Sequence, residues 1–141
     1  MFTLDDAINI ARHAHAGQVD KSGRPYIGHP LRVMASVEGE HARMAAVLHD
    51  VIEDTTVTAH ALLAAGCPSV VVDAVVALSK VPGEAQESYL ARVAANPLAL
   101  VVKHADIADN MSPVRLAALD SATQDRLRAK YTAALTFLAA L

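Results

Sequence analysis

The sequence predicts an all-α fold, and three features lead there. The 141 residues are 53% hydrophobic yet only 4% aromatic, with no tryptophan. Alanine is abundant, while β-branched and aromatic residues are confined to short runs, a balance that suits closely packed helices better than a sheet. Apolar residues recur at helical spacing between Gly and Pro punctuation. The length fits one domain, 1–141, with a core of its own.

The elements follow in order. Thr3, with Asp6 three residues on, forms a capping box that opens a helix running to about Gly17. His13 and His15, about 200° apart around that helix, cannot face one site together. Gln18 to His29 is a loop by composition, with a turn at Ser22-Gly23 and a basic character from Lys21 and Arg24. Pro30 is expected at the first position of a second helix, with His29 at its start. Glu38-Gly39-Glu40 marks a break before the central helix, which is expected to run unbroken through Ala45–Thr56. Thr58 caps a short helix closed by Gly66. Apolar helices follow from Pro68 or Ser69 to about Lys80 and from Glu84 to Ala95, the latter with Tyr89, Leu90 and Val93 inward. Leu98 to about Met111 is next, primed by Asn96-Pro97. A final amphipathic helix spans Asp120–Leu141, with Arg126, Arg128 and Lys130 read as a solvated face.

Charge intrudes on this apolar pattern at few places. AAVLHDVIEDTT holds His49, Asp50, Glu53 and Asp54, which as a helix fall within one arc of about 140°. Three carboxylates on an apolar helix are costly unless a cation offsets them. The second intrusion is the helix LALVVKHADIADNM, where Lys103, Asp106 and Asn110 lie within about 60° of one another. Together with His29, these positions supply two histidines and two aspartates: His29, His49, Asp50 and Asp106. That set suits Mn²⁺ or Fe²⁺ with water completing the sphere, with Zn²⁺ or Mg²⁺ as alternatives.

The ordered motifs AHAGQ, DKSGRPYIGHP, AAVLHDVIEDTT and ANPLALVVKHADIADNM, from about His15 to Met111, resemble the HD-domain metal-dependent phosphohydrolases. The nearest branch is similar to the alarmone hydrolases, found in RelA/SpoT-type enzymes and as small stand-alone hydrolases. The resemblance implies an HD-domain helical bundle. It implies removal of pyrophosphate from the 3′ position of ppGpp or pppGpp, or of an analogue such as ppApp. It makes His29, His49, Asp50 and Asp106 metal ligands and Glu53 and Asp54 the acidic pair acting on the attacking water. Lys21 and Asn110 become substrate contacts, with Ser22 and Arg24 beside them. Where the pattern commonly has an arginine that helps hold guanine, this chain has Asp20. Where it usually reads ADRLHNMR, this chain reads ADIADNMS, with Ile107, Asp109 and Ser112 replacing an arginine, a histidine and an arginine.

The chemistry is coherent with that resemblance. A cation lets an acidic cleft accept an anionic phosphate ester and lowers the pKa of its water. Glu53 or Asp54 then orients that water or takes its proton. Two alternatives stand beside alarmone hydrolysis: an HD phosphohydrolase for another nucleotide, and a non-catalytic metal- and nucleotide-binding module. The net charge of −3 and the lack of a basic stripe argue against nucleic acid as a partner. The lone Cys67 excludes an internal disulfide, the opening MFTLDD lacks signal-peptide character, and no apolar run is long enough to span a bilayer. The expectation is a cytoplasmic protein acting on a small nucleotide.

Overall fold

The order of helices decides which side chains meet. A computed structural model describes residues 1–141. It contains α1 (Leu4–Ala14), α2 (Gly28–Ala35), α3 (Glu40–Leu48), α4 (Val51–Asp54), α5 (Ala59–Ala64), α6 (Ser69–Leu78), α7 (Gln86–Ala94), α8 (Pro97–Asn110), α9 (Pro113–Ala117) and α10 (Ser121–Ala139). There is no strand, only an isolated antiparallel bridge between Val19 and Pro25. The expected capping box on α1 is present: the Thr3 side chain accepts from the Asp6 amide, and the Thr3 amide donates to the Asp6 carboxylate. Thr58 and Asn96 cap α5 and α8 in the same way, each accepting from a backbone amide three residues on. Gly66, at φ +97, supplies the left-handed residue that stops α5.

The centre of the molecule is α3. It packs against α1, α2, α6 and α8. Met44, Ala45, Ala46, Val47 and Leu48 are all buried to 1% exposure or less, so this helix is covered on every side. Ala45 and Ala46 are small enough to let neighbouring helices approach closely. Around α3 stand Val71, Val75 and Leu78 of α6 and Ala99, Val102 and Ile107 of α8. Tyr89 of α7 points inward as expected, and its hydroxyl donates to the Leu78 carbonyl at 2.8 Å. Cys67 is a buried small hydrophobe whose thiol pKa is pushed up to about 11 by burial.

Three expectations are corrected. The central helix is not continuous: α3 stops at Leu48, His49 and Asp50 form a turn, and α4 restarts at Val51. The cause is local. The Ala46 carbonyl accepts from the His49 ring Nδ1–H at 2.6 Å and from the His49 amide at 3.4 Å, so it is not free to continue the helical ladder to Asp50. Next, α2 begins at Gly28 rather than Pro30, which places His29 inside the first turn. The Ser112-Pro113 interruption opens an additional short helix, α9. Lys130 is exposed, as expected of a solvated face, and it also lines the central cleft.

Because the alanine contacts of α3 leave no spare volume, Ala45→Leu should overpack the core and cost about 1–3 kcal/mol. Chemical denaturation should show an unfolding midpoint lowered accordingly.

Candidate metal centre and nucleotide cleft

Three parts of the chain converge at one point. α2 brings His29, the α3–α4 turn brings His49 and Asp50, and α8 brings Asp106. His29, His49 and Asp106 are 3%, 2% and 7% exposed. One ligand atom from each lies within 4.8 Å of the other two. His29 Nε2 is 2.8 Å from Asp106 Oδ1, and His49 Nε2 is 3.4 Å from the same oxygen. Asp50 stands at the edge of this trio, its Oδ2 3.0 Å from His49 Nε2 and 4.0 Å from His29 Nε2, and it accepts a short hydrogen bond from the Tyr26 hydroxyl. All four expected ligand positions are therefore neighbours, with Asp50 the outermost.

The chemistry of the donor set fits a cation. His49 Nδ1–H is committed to the Ala46 carbonyl, so in the neutral ring Nε2 carries the lone pair. That Nε2 is fully buried and has no hydrogen-bond partner, although two carboxylates lie within 3.4 Å of it. A buried lone pair facing carboxylate oxygens is repulsive unless a proton or metal ion stands between them. Without metal, protons take that place. Burial acts to lower both histidine pKa values but is outweighed: for His49 by the charges of Asp50 and Asp106, for His29 by bonds to Asp106 and Asp109. Both rings are held above the ordinary range. Burial likewise opposes ionisation of Asp106, yet the bonds from His29 and His49 and the Lys103 charge hold its carboxyl well below the usual range.

This cluster forms one wall of a cleft of about 570 Å³. Glu53 and Asp54 line the same cleft from α4. The Glu53 carboxylate accepts from the Lys80 amide at 2.6 Å, tying α4 to the segment after α6. Asp54 is pushed up to about 6, first by burial and then by the charges of Asp50 and Glu53. Its backbone carbonyl accepts from Gln18 Nε2 at 3.0 Å, and Gln18 also bonds the ring of the buried His15, which packs against Tyr26. Of the two histidines ending α1, His15 is thus the packed one, while the exposed His13 bonds the Asn9 carbonyl.

Positive charge gathers on the other walls: Lys21, Lys80, Lys103, Lys130 and Arg115. Lys103 Nζ is 3.2 Å from Asp106 Oδ2. Lys130 is pushed down, by burial and then by Lys103, Lys21 and Lys80, which shows that the four ammonium groups share one field. Composition could not reveal this, because the lysines come from separate segments. Asn110 also lines the cleft, donating to Asp106 Oδ1 at 3.1 Å.

Two expected substrate contacts are placed differently. Ser22 lines the cleft, but its hydroxyl donates to Asp20 Oδ1 at 2.8 Å. Arg24 is exposed and does not line the cleft; its amide donates to the same Asp20 oxygen at 3.0 Å. Asp20 organises its own loop, and its other oxygen is 3.8 Å from Arg115. Asp109 and Tyr26 were not recognised from the sequence as site residues. Asp109 is three positions after Asp106, a spacing that places both on neighbouring faces of α8.

Ten helices thus surround a buried pair of histidines and an aspartate, with a second aspartate alongside. The chain is similar in sequence to enzymes of alarmone metabolism. The chain is 55% identical over 53 residues, 35% of its length, to a guanosine-3′,5′-bis(diphosphate) 3′-pyrophosphohydrolase of Haemophilus influenzae. It is 49% identical over 59 residues to the bifunctional (p)ppGpp synthase/hydrolase SpoT of Escherichia coli, and 37% identical over 122 residues, 77% of the chain, to a probable GTP pyrophosphokinase of Mycobacterium leprae. It spans only 8% to 15% of the length of these relatives. The fold matches a solved metazoan orthologue of SpoT that hydrolyses ppGpp, with a TM-score of 0.79 over 96% of this chain and 84% of the other, at 22% identity. No family model matches the chain. No helix is long and apolar enough to cross a membrane.

Asp54 should titrate near pH 6 in the metal-free protein, against about 4 for an ordinary aspartate, as read by carboxyl carbon NMR. Glu53→Gln, which removes one of the charges that raise it, should move the midpoint down.

Proposed function

We propose that this chain is a metal-dependent hydrolase that removes pyrophosphate from the 3′ position of ppGpp or a close analogue. One observation carries the reading: a buried His29–His49–Asp106 cluster shares a single cleft with five cationic side chains. The similarity to named ppGpp hydrolases supports the substrate class.

In this reading His29, His49, Asp50 and Asp106 hold Mn²⁺, with Fe²⁺, Zn²⁺ or Mg²⁺ as alternatives. The ion supplies a Lewis acid and makes a bound water acidic enough to react near neutral pH. Glu53 and Asp54, on the helix directly after the His49-Asp50 turn, take up the proton of the attacking water. A carboxylate within reach of the water can serve as the general base. The water oxygen joins the departing pyrophosphate, and the ribose 3′-oxygen leaves with a proton. Lys21, Lys80 and Lys130 neutralise the phosphates, and Asn110 donates its amide to the substrate or to Asp106.

A second reading keeps the chemistry and changes the nucleotide. Asp20, Ile107, Asp109 and Ser112 stand where the alarmone pattern differs, and Asp20 spends its carboxylate within its own loop. Base recognition is then looser or different, as for ppApp.

Incubation of the Mn²⁺-loaded protein with ppGpp, ppApp and simple nucleotides tests this. GDP plus pyrophosphate is expected from ppGpp; orthophosphate release or no turnover overturns the reading. His49→Ala should abolish both metal binding and turnover. Glu53→Ala should retain metal, measured by calorimetry, while losing about 100-fold or more in kcat. Lys130→Ala should raise KM about fivefold with little change in kcat, as expected for one partly screened ion pair of about 1 kcal/mol.

A further inference from the structure

Asp109 is a heavily bonded carboxylate beside the metal centre to which the reading above gives no role. Its Oδ2 accepts from His29 Nδ1 at 2.6 Å and from Arg115 Nη1 at 2.9 Å, and its Oδ1 accepts from Arg32 Nε at 2.9 Å. The Arg115 and His29 nitrogens are 3.2 Å apart, yet Arg115 can only donate, so the two do not bond to each other. Both address the single oxygen between them. The same Arg115 Nη1 donates to Asn110 Oδ1 at 2.8 Å, which turns the Asn110 amide nitrogen toward Asp106 Oδ1 at 3.1 Å.

We propose that Asp109 is a positioning residue for the metal centre: with Arg115 it fixes His29 in the tautomer and orientation that present Nε2 to a cation. A carboxylate at this place can only accept, so it forces the proton of the neutral ring onto Nδ1 and leaves the Nε2 lone pair facing Asp106. The histidine that the resembled motif carries at this position can donate or accept and would impose no such choice. Through Arg115 and Asn110 the arrangement also steadies Asp106. Carboxylates that orient a metal-bound imidazole in this way are worth about 10–100-fold in metal affinity. Arg32 and Arg115 keep Asp109 in place and hold its carboxyl low: burial opposes ionisation, but the bonds from His29 and Arg32 bring the pKa down to about 2.

The inference rests on the metal-dependent reading, and its test separates the two. The full-length metal-free chain is titrated with Mn²⁺ by calorimetry, and the imidazole N–H resonances are recorded by NMR. Asp109→Ala should weaken Mn²⁺ binding about 10–100-fold and remove the downfield His29 Nδ1–H signal. Asp109→Asn, which keeps the size and one acceptor oxygen, should recover part of both. A merely structural role would lower thermal stability without moving that resonance or the Mn²⁺ affinity. Mn²⁺ affinity within threefold of the parent in both variants overturns the inference. A parent chain that binds no divalent cation overturns it together with the proposed function. A parent that binds Mn²⁺ but does not hydrolyse ppGpp overturns the proposed function alone.

Discussion

The bond from the His49 ring to the Ala46 carbonyl is the contact on which the rest of the site depends. It occupies the carbonyl that would otherwise carry α3 onward, so the helix ends there and the chain turns. It also fixes which ring nitrogen is free, because a proton given to Ala46 through Nδ1 leaves Nε2 aimed at Asp106 and Asp50. One hydrogen bond thus ends the most buried helix of the molecule and aims its ligand. The turn then lets Asp50 swing to Tyr26 and lets α4 present Glu53 and Asp54 at the mouth of the cleft.

Around that point the molecule separates charge by sign. The carboxylates and imidazoles gather on the wall built by α2, the α3–α4 turn and α8. The ammonium groups arrive from the loop before α2, the segment after α6, α8 itself and α10. Lys103 bridges the two sets through Asp106, and the Arg115 guanidinium does so through Asp109. Like charges within each set repel at low dielectric, and in the metal-free protein protons on His29 and His49 offset that repulsion on the acidic wall. A cation relieves one wall and an anion with several charges relieves the other. The proposed divalent ion and phosphorylated nucleotide would meet both demands at once.

Much of the fold was legible in local sequence. Thr3 with Asp6, Thr58 and Asn96 marked helix starts that the structure bears out, because capping needs only residues within one turn. The inward faces of Tyr89, Leu90 and Val93 were equally readable from spacing. The continuity of the Ala45–Thr56 helix was misread, since a side-chain bond to the backbone, not composition, breaks it. Lys130 is exposed as its helical face implies, but its apolar neighbours on α10 could not show that it shares a cleft with three other lysines.

By itself, the sequence determined that this chain folds as helices and that histidines and aspartates are planted in apolar surroundings where isolated charges could not persist. Residue type and spacing along one chain are enough for that, since burial penalties act on each residue singly. Only the tertiary structure decided that Asp109 reaches His29 eighty residues away, that Asp20 turns inward on its own loop, and that cations from four segments face the acidic cluster. Those are distances between elements, set by how α3 packs α2 against α8, and no local pattern encodes them.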